Sequence, residues 1–257
     1  MTPPLPEVFL RLPIAHRALH DLADRRPENG RGAIAAAVAQ GYGIEIDLQP
    51  SADGQALVFH DYDMMRLTGL AGPVHGLTVD RAAEVPLSGG DGETIPTLPE
   101  VLALVAGQVP LLIELKDQDG AMGPGGGDAL ERAAVAALNG YDGPVALMSF
   151  NPHVVARLAD LAPHLPRGLV TSGYDPSDWP LPVETCAHLR AIPDFDRVRA
   201  GFISHEASDL ARPRVAELKS RGVPVLCWTI RSPAQEAQAR RVADNITFEN
   251  YLPPLAG

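Results

Sequence analysis

"GYGIEIDLQPSADGQALVFHD" (residues 41–61) reads as strand, turn, strand. Ile44, Ile46 and Leu48 alternate with Glu45 and Asp47, and residues two apart share one face of a strand. Asp53-Gly54 is a turn signal, and the apolar run after it ends in His60-Asp61. On a half-exposed sheet such alternation would simply put the acids in water. In this stretch two carboxylates and an imidazole gather at strand ends instead, which asks what they do there.

Runs of the same character recur along the chain. They are "LPIAHR" (12–17), "IEIDLQ" (44–49), "LLIELK" (111–116), "VALMSF" (145–150), "RGLVTS" (167–172), "GFISHE" (201–206), "VLCWTI" (225–230) and "NITFEN" (245–250). Between them lie Ala/Leu-rich segments, clearest at 31–41, 128–140 and 151–163. The first two end in Gly and the third opens on Asn-Pro, which are helix stop and start signals. Strands alternating with helices imply a parallel sheet, because each crossover needs a dozen or more residues. Eight such units predict a (β/α)8 TIM barrel, with a doubly wound open sheet as runner-up. The Gly- and Pro-rich region 61–97 breaks the rhythm between the second and third barrel strands. It is expected to be a small insertion at the barrel mouth, so residues 1–257 form one domain.

Composition narrows the function classes. Hydrophobic residues make up 46% and charged residues 21% of the chain, as in ordinary soluble proteins. A formal net charge of −11 argues against nucleic acid or anionic membranes as partners. "RRPENGR" is basic, but it lacks interleaved aromatics. Cys186 and Cys227 have no metal-ligand spacing and suggest no disulfide framework. No segment looks like a signal peptide, and no apolar run approaches the roughly 20 residues of a membrane span, so the expected location is the cytoplasm. "GPGGG" (123–127) lacks the Lys and Ser/Thr of a phosphate-cradling loop and reads as a plain loop.

The polar residues that close the strands form the stronger signal. Strand one ends in His16-Arg17, strand two carries Glu45 and Asp47, the following hairpin ends in His60-Asp61, and strand three carries Glu114 and Lys116. In a parallel barrel all strand C-termini emerge at one rim. Buried charges there must be paired or bound to a metal. Glu45, Asp47 and Glu114 are hard oxygen donors, better suited to one Ca²⁺ or Mg²⁺ than to Zn²⁺. Set against a dication, Arg17 and Lys116, these three acids leave one positive charge over, which one phosphodiester would neutralise. Alone, each residue has a plainer reading. Glu45 and Asp47 could be a solvated face, Arg17 could pair with Glu28, Lys116 could neutralise Glu114, and a lone Trp228 could be core. His20, His75, His153, His164, His188 and His205 are assigned to surface or structure, and whether Asp61 orients a catalytic histidine is left open.

In order and spacing these segments resemble the glycerophosphodiester phosphodiesterase family. "AHRALHDLADRRPENGRGAIAAAVAQGYGIEIDLQPSADGQALVFHD" (15–61) matches a His-Arg … Pro-Glu-Asn … Glu-x-Asp … His-Asp signature. "MMRLTG" (64–69), "ETIPTLPEVLAL" (93–104), "LLIELK", "MSFNP" (148–152), "VLCWTI" and a final Asn-x-Thr segment follow in order. The resemblance implies a TIM barrel and divalent-metal-dependent hydrolysis of glycerophosphodiesters to sn-glycerol 3-phosphate and an alcohol. It makes His16 and His60 the general acid/base pair and Glu45, Asp47 and Glu114 the metal ligands. Arg17 and Lys116 would bind the phosphate, Glu28 and Asn29 would support that rim, and Trp228 would pack near the glycerol. Three departures stand out. Ala18 replaces the usual Gly, Gly30 replaces a hydroxyl residue, and "ADNITFENY" (243–251) replaces an Asp-Gly … Thr-Asp ending. A lysophospholipase D-like activity ranks lower, because the insertion holds few large apolar residues that look exposed. A non-catalytic phosphodiester binder would not need both histidines. Barrels often pair through outer helices, so a homodimer stays open.

Overall fold

The computed structural model describes residues 2–255. All eight predicted strands form, with ends within two residues of the expected ones. They are β1 (Ile14–Ala15), β2 (Gly43–Pro50), β4 (Leu111–Leu115), β5 (Val145–Ser149), β6 (Arg167–Thr171), β7 (Phe202–Glu206), β8 (Val225–Ile230) and β9 (Asn245–Phe248). The short β3 (Ala56–Val58) is the second strand of the opening stretch. The fold is a (β/α)8 barrel. Its elements fall into two compact units.

One unit holds Ile14–Lys116 with Asp128–Val145. β2 organises it. On one edge β2 runs parallel to β4, from Ile44 opposite Leu111 to Leu48 opposite Leu115. Its other edge is shared. Gly43 and Ile44 pair in parallel with β1, while Leu48, Gln49 and Pro50 pair antiparallel with β3. Both faces of β2 are buried. The apolar–polar alternation therefore does not mark a wet face, and Glu45, Asp47 and Gln49 project together into the interior.

The helices of this unit follow their sequence signals. Arg31–Gln40 stops at Gly41, which is left-handed at φ 77°. Gly30 offers no side-chain cap at its start. Glu93 supplies one from the insertion, where its Oε1 accepts from the Gly32 N–H at 3.0 Å. A Cβ on Gly30 would lie 2.7 Å from Glu93 Oε2, so the glycine makes room for the borrowed cap. Thr97 and Glu100 form a reciprocal capping box that opens the helix Leu98–Val105. The insertion builds a satellite core in which Met64, Leu67, Val74, Val85 and Ile95 pack with Leu57 and Phe59. Burying each large aliphatic there is worth about 1.5–3 kcal/mol.

The other unit holds the Asp117–Gly127 loop and the chain from Ala146 onward, with the segment up to Pro13. β5 to β9 pair in parallel in sequence order. The helices Pro152–Leu161, Val183–Arg190, Pro213–Ser220 and Pro233–Ala239 connect them. The last three have weak apolar patterns and did not stand out in the sequence. The Gly-rich loop is pinned by buried Asn151, whose Nδ2 donates to Asp117 Oδ1 at 2.7 Å and to the Gly123 carbonyl at 2.8 Å. His205 is fully buried and hydrogen-bonded to Thr171 Oγ1 at 2.8 Å, a structural histidine as expected. Cys186 and Cys227 are free and buried. Among the described residues no helix is long and apolar enough to cross a membrane.

β6 and β7 approach closely where Gly168 pairs with Phe202. A Cβ on Gly168 would sit 2.5 Å from the buried Phe202 ring. Gly168→Ala is expected to lower stability by about 1–3 kcal/mol, read as a fall in the urea midpoint at unchanged slope.

Candidate active site

Glu45, Asp47 and Glu114 are 2%, 1% and 6% exposed. Glu45 and Asp47 come from one face of β2, and Glu114 lies opposite Asp47 in β4. Each offers a carboxylate oxygen, and these atoms lie within 4.8 Å of one another. Lys116 follows β4 and bridges two of them, with Nζ at 2.6 Å from Glu114 Oε1 and 2.7 Å from Asp47 Oδ1.

Three buried acids against one ammonium titrate unequally. Burial drives Glu45 well above the usual carboxylate range, and the charges of Asp47 and Glu114 add to it. Burial also raises Glu114, although Lys116 partly offsets the shift. Burial works against the charged form of Asp47 too, but Lys116, His60 and Arg17 outweigh it and hold Asp47 well below its ordinary value. Lys116 is likewise buried, yet Asp47 and Glu114 keep it firmly charged. Of the three acids, Glu45 is the one whose charged form its surroundings disfavour most, through burial first and then its acidic neighbours. A buried cluster with surplus acid and only oxygen donors fits a hard divalent cation.

The remaining residues orient these acids. After Ala15 the chain turns through two left-handed residues, Arg17 at φ 52° and Ala18 at φ 65°. That turn aims both backbone N–H groups at Glu45. Arg17 N donates to Glu45 Oε2 at 2.9 Å, and Ala18 N to the Glu45 carbonyl at 3.0 Å. Glycine is the residue that adopts this conformation without strain, so Ala18 holds the turn at a cost. Asn29, also left-handed at φ 59°, is buried beside Asp47. Its Nδ2 donates to Asp47 Oδ2 at 2.9 Å, and its Oδ1 accepts from the Asp47 N–H at 3.3 Å.

Arg17 does pair with Glu28, Nη1 to Oε1 at 2.8 Å. Its Nε is buried 3.7 Å from Asp47 Oδ2 and makes no hydrogen bond among the described residues. His60 Nδ1 sits 2.6 Å from Asp61 Oδ1. A carboxylate on Nδ1 assigns the proton to that nitrogen and leaves Nε2 for proton transfer. Burial favours neutral Asp61, but hydrogen bonds from His60 and Arg66 outweigh it and hold Asp61 well below the usual carboxylate range. His16 follows β1 and is half-buried.

Two residues here escaped the sequence reading. Gln49 is fully buried on the same face as Glu45 and Asp47, and its Nε2 donates to the carbonyls of His60 and Asp61, both at 3.2 Å. The two-residue period of β2 was the signal that could have found it. Arg66 lies on the short helix Met65–Thr68 and bonds both Asp61 and Glu28. No spacing pattern marks it. Trp228 belongs to the other unit. There its indole N–H donates to the Ser204 carbonyl at 3.0 Å, and its ring meets Phe150 edge-on at 5.5 Å.

The profile of the glycerophosphoryl diester phosphodiesterase family matches residues 16–246. The Bacillus subtilis protein YhdW is 26% identical over 246 residues, 93% of each chain. A glycerophosphodiester phosphodiesterase of Caldanaerobacter subterraneus subsp. tengcongensis is 32% identical over 168 residues, 62% of this chain and 66% of that protein. A solved phosphodiesterase from Oleispira antarctica, in complex with the product sn-glycerol-3-phosphate, superposes with a TM-score of 0.74 at 25% identity. It covers 93% of this chain and 94% of its own.

Two outcomes are expected from this geometry. Ala18→Gly relieves a left-handed Cβ and is expected to raise stability by up to about 1 kcal/mol in chemical denaturation. The second concerns pH. Because Glu45 has its folded-state pKa raised, it stabilises the metal-free fold below its unfolded value of about 4.3, and that contribution is lost as pH rises through the raised value. In chelator at pH 7–8, Glu45→Gln is therefore expected to melt above the wild type. Added Ca²⁺ or Mg²⁺ should raise the wild-type melting temperature far more than that of the variant.

Proposed function

The chain is an enzyme of the glycerophosphoryl diester phosphodiesterase family, and from that premise we propose that it hydrolyses small glycerophosphodiesters to sn-glycerol 3-phosphate and an alcohol. The observation that carries the proposal is the buried acid cluster of Glu45, Asp47 and Glu114 sharing one unit with Arg17 and the Asp61-backed His60. In this reading the three acids hold one Ca²⁺ or Mg²⁺. When bound, such an ion supplies positive charge that offsets the charge gathering on the phosphoryl oxygens.

The chain's own residues do the rest. A phosphodiester resists attack because it is anionic and leaves a poor alkoxide. Arg17 has a buried Nε with no hydrogen bond among the described residues, and it serves as the anion's donor. Lys116 adds a second positive charge, and Glu28 and Asn29 fix the rim. One histidine takes a proton from the attacking oxygen as the new P–O bond forms. The other gives a proton to the alcohol oxygen as the old P–O bond breaks. Imidazole suits both steps because it changes charge near neutral pH. Asp61 fixes the tautomer of His60 that presents Nε2. The attacker is water, or the substrate's glycerol hydroxyl by way of a cyclic phosphate.

A second reading has one observation in its favour. Tyr62, Met65 and Leu70, next to His60-Asp61 in sequence, are 48%, 52% and 46% exposed. The insertion thus shows more apolar surface than its sequence suggested, and an acyl chain could lie on it.

One assay covers both readings. Release of sn-glycerol 3-phosphate from glycerophosphocholine and glycerophosphoethanolamine is measured with and without EDTA, beside release from a lysophospholipid. The deacylated diesters are expected to turn over faster, chelation to abolish activity, and His16→Ala or His60→Ala to lower kcat by about 10²–10⁴-fold. Activity indifferent to EDTA and to both substitutions would falsify the mechanism.

A further inference from the structure

Arg66 makes four side-chain hydrogen bonds to two carboxylates. Its Nε donates to Asp61 Oδ2 at 2.7 Å and its Nη2 to Asp61 Oδ1 at 2.8 Å. Its Nη1 and Nη2 donate to Glu28 Oε2 and Oε1, each at 2.8 Å. Each carboxylate has a second partner in the candidate site. Asp61 Oδ1 meets His60 Nδ1, and Glu28 Oε1 accepts from Arg17. A single guanidinium therefore backs both the proposed acid/base residue and the proposed phosphate ligand. Its place is fixed by the buried neighbours Met64 and Leu67, which belong to the insertion core.

We infer that Arg66 is a positioning residue that divides the charge of Glu28 so that Arg17 stays available to an anion, and that clamps Asp61 so that His60 keeps one orientation. The inference rests on the reading that Arg17 binds the substrate phosphate. Its logic is competition. Left alone with Arg17, the Glu28 carboxylate would form a closed ion pair, and an incoming phosphate would have to break it. Shared with Arg66, Glu28 is already satisfied by a two-pronged donor, so Arg17 can turn to the phosphate without leaving a bare buried acid. The clamp on Asp61 depends on shape as well as charge. Only a planar fork reaches both oxygens of one carboxylate while holding a second. Arg66 touches no reacting atom in this scheme.

Charge and shape separate in the test. Binding of sn-glycerol 3-phosphate is measured by calorimetry in saturating Mg²⁺, and kcat on glycerophosphocholine is measured in parallel. The proteins are wild type, Arg66→Met, Arg66→Lys and the double variant Arg66→Met with Glu28→Gln. Arg66→Met is expected to weaken binding about tenfold and to lower kcat about tenfold. Arg66→Lys restores the charge, so binding recovers, but not the fork, so kcat stays low. The double variant removes the competing acid, so binding recovers without Arg66. If Arg66→Met is poorly folded by circular dichroism, the Lys variant and Glu28→Gln alone carry the same comparison. The inference is overturned if Arg66→Met binds like wild type. Equal losses in the Met and Lys variants with no recovery in the double variant also overturn it, since a merely structural role gives that pattern. A wild type that binds with this pattern but does not turn over glycerophosphocholine supports the inference and sinks the proposed substrate. A wild type that binds no sn-glycerol 3-phosphate sinks both.

Discussion

Three carboxylates buried within reach of one ammonium set the terms for the rest of the site. Two unit charges at 4.8 Å repel by about 3 kcal/mol even at an effective dielectric near 20. Glu45, Asp47 and Glu114 could not all stay ionised beside Lys116 alone. The fold answers with donors aimed at particular oxygens. Lys116 bridges Asp47 and Glu114, Asn29 and Arg17 serve Asp47, and the Arg17 backbone N–H serves the Glu45 carboxylate. Asp47 is the best supplied and is held low. Glu45 is pushed high by burial and by the charges of Asp47 and Glu114, which the Arg17 N–H and Lys116 only partly offset. In the proposed reading, this asymmetry makes Glu45 the acid with the most to gain from a divalent cation.

Those donors come at a conformational cost. Arg17, Ala18 and Asn29 all lie in the left-handed region, where residues other than glycine are strained by about 1–2 kcal/mol each. Asn bears this best, because its short amide bonds locally, and Asn29 uses both ends of its amide on Asp47. Arg17 and Ala18 gain the two N–H contacts to Glu45. At these three positions the strain falls on turns that point donors at the acids, as expected where site geometry outranks local stability.

Much of this was legible in the sequence. Eight strands could be placed to within two residues because β-branched runs alternated with Ala/Leu-rich ones, and the period of two put Glu45 and Asp47 on one face. The solvated-face reading that the alternation also allowed is set aside by the structure, since both faces of β2 are buried and its polar side lines the interior. Helices with Gly stops or an Asn-Pro start were visible. Val183–Arg190 and Pro213–Ser220 were not, because they pack few apolar residues against the sheet. Within the site, residues fixed by strand register could be found by counting. Arg66 could not, since it sits on a one-turn helix with no readable period and only folding brings it to Glu28, 38 residues earlier. The missing hydroxyl at Gly30 was read correctly as a lost cap, but its replacement, Glu93, lies 63 residues further along the chain and carries no local signal.

Register ties these parts together. A slip of one residue in β2 would turn Glu45, Asp47 and Gln49 to the opposite face and bring Ile44, Ile46 and Leu48 into the cluster. Three partners oppose that slip, β4 along one edge and β1 and β3 in succession along the other. β3 does more than pair. Phe59, just past its end, donates its N–H to the Asp47 carbonyl at 2.9 Å, and Gln49 then binds the carbonyls of His60 and Asp61. The strand that aims the acids thus also fixes the backbone of the histidine. The hairpin with which the sequence first drew attention is the means by which acid and imidazole share one rigid frame. Glu28 and Arg66 lie outside that frame, so substitutions among them should tune the site, whereas a shift in β2 would dismantle it.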